Sequence, residues 1–175
     1  MIKYFIYIVL LSLLALINAN AGSPGGLRVV IIPLPSAMVY KTIVAQTFAE
    51  IVDGEQNAYC ENPFMLRKSQ FNIDLYYINK TLDSEVIYQA LAMDTKMLAL
   101  KKRLRDFRSK SNTIGLNALL TYEVKDDNFV IYGISSFEDV PVVIKAVPLK
   151  DISDAYILAS AICSSLVGFP VEYDE

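Results

Sequence analysis

A run of β-branched and apolar residues from Leu27 to Leu34, LRVVIIPL, constrains the fold more than any other segment of this sequence. A short apolar run bounded by glycine and proline predicts a strand that is buried on both faces. Such a strand needs a covering layer on each side, so we expect helices on the sheet. Gly25 and Gly26 precede the strand, whereas a phosphate-binding loop would follow it, and this predicts a flexible tether over residues 22–26.

Segments with helical and strand periods alternate along the rest of the chain. Ser36 is placed to cap a helix from Ala37 to Val52, which Asp53 and Gly54 would end. The other predicted elements are a half-buried strand over 71–78 (FNIDLYYI), a long helix from Asp83 or Ser84 to about Lys110, strands over 116–124, 129–137 and 141–147, and a last helix from Asp151 or Ser153 to Gly168.

The order of these elements, β-α-β-α-β-β-β-α, predicts an α/β fold of the α+β kind, with three helices on a mixed sheet of about five strands. The KDDN sequence at 125–128 predicts a hairpin between two of the strands. Pro141 indicates that the last strand begins there or lies at a sheet edge.

The amino terminus has the features of a secretory signal. Lys3 precedes an apolar run from about Tyr4 to Ile17, and the small residues Ala19 and Ala21 then form a cleavage site, which predicts a signal peptide over 1–21. The run is shorter than a comfortable membrane span of about 20 residues, although an uncleaved anchor is the alternative. A single globular domain over 27–170 and an acidic tail over 171–175 would remain, in the periplasm or secreted.

The composition excludes several classes of site. The sequence has no histidine, which excludes histidine-based triads, Cys-His dyads and His-ligated zinc, and we expect neither a metal nor a cofactor. Cys60 therefore lacks an activating base.

Cys60 and Cys163 are the only cysteines, and they could form a disulfide after export, or Cys163 could be a small buried hydrophobe. A formal net charge of −3 argues against nucleic acid as a partner.

The basic run KKRLRDFRSK at 101–110 is the clearest candidate binding site. Lys101, Arg105 and Arg108 share one helix face, where they could bind an acidic partner, phosphate or anionic lipid. The alternative is a solvated face near a helix carboxyl terminus. Membrane association would need this helix or an uncleaved signal.

Carboxylate pairs and tyrosines are weaker candidates. A hydrolase could use paired acids, but turns and caps favour aspartate as well. Tyrosine suits both interfaces and strands. The acids are Asp126, Asp127, Glu138, Asp139, Asp151 and Asp154, and the tyrosines on predicted strands include Tyr76, Tyr77, Tyr122 and Tyr132.

Five stretches together resemble the amino-terminal domain of TolB and are similar to the related CsgG-like envelope modules: LRVVIIPLP, TIVAQTFAEIV, FNIDLYYINKTLDSEVIYQAL, GLNALLTYEVKDDNFVIYGISSF and ISDAYILASAICSSLV. Leu34, Pro35 and Ser36 replace the signature usual after the first strand, and no lipobox is present, so the pore role of CsgG does not transfer. The resemblance implies a non-catalytic periplasmic module that binds another envelope protein in a secretion, envelope or cell-wall assembly.

Overall fold

The structure, a computed structural model, describes residues 27–53, 82–107 and 115–169, without the side chains of residues 52 and 53. Its strands are β1 (Val29–Pro33), β2 (Ala118–Lys125), β3 (Asn128–Ser135) and β4 (Val143–Pro148), and its α-helices are α1 (Lys41–Asp53), α2 (Ser84–Ala92), α3 (Asp94–Asp106) and α4 (Ala155–Leu166). Two 3-10 turns, Pro35–Tyr40 and Leu149–Asp151, precede α1 and follow β4. The predicted signal, tether, acidic tail and 71–78 strand lie outside the described residues.

The four strands form one mixed sheet in the order β1-β2-β3-β4. β1 pairs in parallel with β2, with Val29 opposite Ala118, and the other two pairs are antiparallel. The general α/β class predicted from the sequence is therefore confirmed. β4 lies at the edge of this sheet, as Pro141 predicts, because a proline cannot donate to a strand ladder.

Both faces of the sheet are covered, as the pattern of β1 predicts. Val29 contributes to a core with Phe48 of α1 and Ile162 of α4 on one face. Val30 contributes to a second core with Ile87 of α2 and Leu104 of α3 on the other face. Burial of each such side chain stabilises the fold by about 1.5–3 kcal/mol relative to exposure.

The prediction of one long helix running to about Lys110 is wrong, because the helix is interrupted at Met93. Met93 has extended backbone angles, φ −146° and ψ 121°. Its N–H donates to the Ala90 carbonyl and ends α2, and its carbonyl accepts from Lys96 and Met97 and begins α3. Asp83 caps α2 as predicted, since its side chain accepts from the Val86 N–H at 2.9 Å.

Ser36 does not cap a helix. A 3-10 turn from Pro35 to Tyr40 separates β1 from α1, and Leu34 precedes this turn without a side-chain cap. Pro35 suits the first position because its φ is fixed and it has no N–H to satisfy. The hydroxyl of Ser36 instead accepts a hydrogen bond from the Val124 N–H of β2 at 3.0 Å.

The hairpin and the last helix begin and end differently from the prediction. Only Asp126 and Asp127 form the turn between β2 and β3, and both have positive φ, 49° and 59°, as a type I′ turn requires. α4 is capped by Asp154, which accepts from the Tyr156 and Ile157 N–H groups, rather than by Asp151 or Ser153. Gly168, at φ +79°, follows the helix as predicted.

Candidate functional site

Lys101, predicted to face solvent, is buried beneath the loop between β3 and β4. Its side chain is 3% exposed. The ammonium Nζ donates to the carbonyl oxygens of Phe137 at 3.0 Å and Glu138 at 3.3 Å, and to that of Val140. These three bonds use all the donors of a lysine ammonium. Burial lowers the pKa of Lys101, while the charges of Asp139 and Glu138 oppose that shift.

Arg105, one helical turn further along α3, contacts the same loop. Its Nη2 donates to the Ser136 carbonyl at 2.9 Å and lies 3.8 Å from Oε1 of Glu138, an ion pair whose side chains remain largely exposed. Arg108 lies outside the described residues. The predicted solvent-facing cationic stripe is therefore wrong at Lys101, because that ammonium holds a loop of its own chain.

The carboxylates occupy separate structural positions. Asp126 and Asp127 form the hairpin turn and Asp154 caps α4, as described above. Glu138 and Asp139 lie in the loop that Lys101 holds. Within residues 27–53, 82–107 and 115–169, no group of three or more Cys, Asp or Glu side chains could hold a metal ion.

The two tyrosines of the central strands differ in what their hydroxyls contact. Tyr122 is 1% exposed, and its hydroxyl has no hydrogen-bond partner among the described residues. Burial raises the pKa of Tyr122 to about 12. The Tyr132 hydroxyl donates to Oε1 of Glu123 at 2.6 Å, and burial followed by this bond raises its pKa. The Tyr122 hydroxyl is buried and the Tyr132 hydroxyl is bonded to the neighbouring strand, and tyrosine is favoured at such strand positions.

Cys163 lies in the core against α1 and the sheet, at 3% exposure, and it is disulfide-bonded. The sequence contains one other cysteine, Cys60, which lies outside the described residues. Pairing of Cys60 with Cys163 therefore stays a prediction.

Two neighbouring residues on the 3-10 turn after β1, Met38 and Val39, both have exposed apolar side chains, and Val39 is the most exposed large hydrophobic residue of the described structure. Met38 is 54% exposed and Val39 is 83% exposed. Sequence reasoning missed this pair. The signal was present, since Met38 and Val39 fall off the apolar stripe of Tyr40, Ile43 and Val44, yet they are large and apolar.

Three contacts fix the turn that carries Met38 and Val39. The Ser36 hydroxyl accepts from Val124 of β2. Ala37, between Ser36 and Met38, is fully buried, and its N–H donates to the Leu34 carbonyl at 2.9 Å. At the far end, the Tyr40 ring meets the Phe129 ring edge-on, with centroids 5.6 Å apart. The pair is thus held rigidly toward solvent at the carboxyl end of β1.

Comparisons with family models, with curated proteins and with solved structures find no match for this chain. Among the helices that the structure describes, none has the length and apolar character needed to cross a membrane.

Proposed function

We propose that this chain is an exported, non-catalytic module that binds another protein of the cell envelope through the solvent-facing apolar pair Met38 and Val39. The observation that carries the proposal is the exposure of these two side chains on a turn that the core fixes. When a partner covers a large apolar side chain that was exposed to water, the burial favours binding by about 25 cal/mol per Å² of apolar surface.

Rigidity of the turn makes the pair a suitable anchor. A flexible loop loses conformational entropy when it binds, which costs about 0.5–1.5 kcal/mol for each immobilised side chain. Here Ser36 and Tyr40 already tie the turn to β2 and β3. The turn has therefore already lost most of this conformational entropy during folding.

The location of the pair also supports binding. In open sheets with parallel strands, binding sites lie beyond the carboxyl ends of the strands. The turn begins at Pro35, two residues after Pro33 ends β1. The Met38 and Val39 surface therefore lies at the end of the sheet where such sites form.

The same proposal includes export, a role in an envelope assembly, kinship with the TolB and CsgG-like modules, and a sheet of about five strands in the predicted element order. These parts rest on the signal-like residues 1–21 and on the order of apolar and polar segments along the chain. Sequencing the amino terminus of protein recovered from the periplasm or the medium should give Gly22 as the first residue. Recovery from a cytosolic fraction of a chain that still begins with Met1 would contradict the proposed envelope location.

The binding proposal is tested by affinity capture from envelope extract, with the mature chain as bait. We expect the native chain to recover the same partner reproducibly, and a Met38→Ser, Val39→Ser double variant to lose it. Val167→Ser is the matched control, because Val167 is also exposed, at 50%, but follows α4. Equal recovery by all three proteins would contradict the role of the pair, and repeated recovery of no partner would contradict protein binding.

A further inference from the structure

Three backbone carbonyl oxygens in the loop between β3 and β4 converge on one point, which the Lys101 ammonium occupies. They belong to Phe137, Glu138 and Val140, so three of four consecutive residues turn their carbonyls to the same side. Carbonyl dipoles that converge repel one another, and a positive charge between them removes the repulsion. Potassium channels use this arrangement, in which backbone carbonyls replace the hydration shell of a cation. Residues 137–140, the carbonyl loop, therefore have the geometry of a cation site.

The charges around this point also favour a cation. Asp139 and Glu138 both act on the Lys101 ammonium and stabilise its charged form. Arg105 lies 3.8 Å from the Glu138 carboxylate. The two acids and two bases of this cluster balance, so removal of the Lys101 charge would leave an excess negative charge beside the three carbonyls. A cation in this position is stabilised by the nearby opposite charge.

The carbonyl loop is also shaped by contacts that do not involve the lysine. Just before the loop, the Ser136 N–H donates to the Asn117 carbonyl at 2.7 Å. Just after it, Pro141 restricts Val140 to extended backbone angles, because the proline ring clashes with a helical conformation of the preceding residue. Both ends of the loop are thus fixed, and we expect the carbonyls to converge again when another cation takes the place of the lysine ammonium.

We propose that the carbonyl loop is a binding site for a primary ammonium ion, and that Lys101 is its built-in occupant. A primary ammonium has three N–H donors, one for each carbonyl, whereas the donors of a guanidinium lie in one plane. Lys101 is 3% exposed, so its apolar stem is buried together with its charge. Removal of the side chain would open an apolar channel that leads to the carbonyls. A short alkylammonium fills both the channel and the site, which a potassium ion cannot do.

The charge state of Lys101 in the native chain is the first test, and it is independent of partner binding at Met38 and Val39. Nuclear magnetic resonance of the isotope-labelled protein near neutral pH should show three protons on the Lys101 Nζ. These protons should exchange with solvent at least about tenfold more slowly than those of Lys102, which is exposed. A neutral amine has two protons for three carbonyls. Two protons on Nζ, or exchange as fast as at Lys102, overturns the proposal.

The second test supplies an external ammonium ion to a chain without the lysine side chain. Lys101→Ala removes three carbons and the nitrogen, and n-propylammonium contains the same atoms. We expect Lys101→Ala to lower the midpoint of thermal unfolding by about 5 °C. Added n-propylammonium should restore at least about half of this loss, in a saturable manner, with a dissociation constant on the order of 1–100 mM, as suits so small a ligand. Absence of any restoration in a folded Lys101→Ala protein contradicts the proposal.

Matched solutes and a matched variant separate an ammonium site from general effects of salt. n-Propanol has the shape of the ligand without its charge, tetramethylammonium has the charge without N–H donors, and potassium lacks the apolar chain. Each should restore clearly less than n-propylammonium does. Lys101→Met fills the channel with its own side chain, so neither it nor the native chain should gain stability from n-propylammonium. Equal restoration by any of the three solutes, or an equal gain in Lys101→Met, shows that the proposal is wrong. If Lys101→Ala does not fold, the ammonium protons of the native chain decide.

Discussion

The ammonium of Lys101 lies 3.0 Å from the carbonyl oxygen of Phe137, a residue 36 positions further along the chain. Together with the bonds to Glu138 and Val140, this contact fastens α3 to the loop between β3 and β4. A basic residue that the sequence offers as a binding site is thereby part of the fold.

Lys101→Met should destabilise the protein. The substitution keeps the length and apolar stem of the side chain but leaves three loop carbonyls without their donor. Unsatisfied buried groups cost about 1–3 kcal/mol, so we expect the free energy of unfolding in urea to fall by that amount. Lys102→Met is the control, because Lys102 is exposed, and it should change stability by less than about 0.5 kcal/mol. Equal effects of the two substitutions would show that the loop does not depend on Lys101.

Removal of the hydroxyl should have opposite effects at the two central tyrosines. The Tyr122 hydroxyl is buried without a partner in the described residues, so Tyr122→Phe should raise the free energy of unfolding by about 1 kcal/mol. Tyr132→Phe loses the 2.6 Å bond to Glu123 and should lower it by about 1 kcal/mol. Denaturant titration of both variants checks this. A loss of stability in Tyr122→Phe would indicate a bound water or other partner at that hydroxyl.

Tyr122 also predicts a loss of stability in alkaline solution. Burial raises its pKa from 10.0 to about 12 in the folded protein. Between these values the folded state keeps a proton that the unfolded chain releases, so the free energy of unfolding falls as pH rises, by up to about 1.4 kcal/mol per pH unit. When unfolding is measured from pH 9 to 12, the free energy of unfolding should decline less steeply with pH in Tyr122→Phe than in the native chain. Parallel curves would assign the decline to other tyrosines.

Two glycines should respond very differently to alanine. A Cβ on Gly133 of β3 would lie 1.8 Å from the Ser165 carbonyl oxygen of α4, so the helix would have to move. A Cβ on Gly168 meets nothing within 4 Å and is opposed only by its φ of +79°. We expect Gly133→Ala to cost about 3 kcal/mol or more and Gly168→Ala about 1 kcal/mol. Thermal unfolding separates the two, and similar midpoints would mean that α4 does not pack this closely on β3.

The hairpin turn should become more stable with glycine. Asp127 has φ 59°, a conformation that costs free energy for residues with a side chain, and type I′ turns favour glycine at the second central position. Asp127→Gly should raise the free energy of unfolding by about 0.5–1 kcal/mol. Asp139→Gly, in the loop between β3 and β4, is the control and should give no such gain. A less stable Asp127→Gly protein would show that the carboxylate makes a contact that stabilises the turn.

Local chemistry in the sequence predicted several elements well. The apolar run of β1 predicted a strand covered on both faces, Asp83 predicted the start of α2, and Gly168 predicted the end of α4. Each of these features depends on the residue and its nearest neighbours in the chain. Met93 shows the limit, because helical periodicity continues across it while its backbone is extended.

By itself the sequence determined the general class of the fold, the helical or strand period of the described α-helices and strands, and the absence of any histidine for catalysis or metal binding. The tertiary structure decided that Ser36 binds Val124, that Lys101 is buried, and that Met38 and Val39 are held in solvent. The physical reason is that these features depend on contacts between residues far apart in the chain. Periodicity reports which face of an element is apolar, but it does not report what packs against that face.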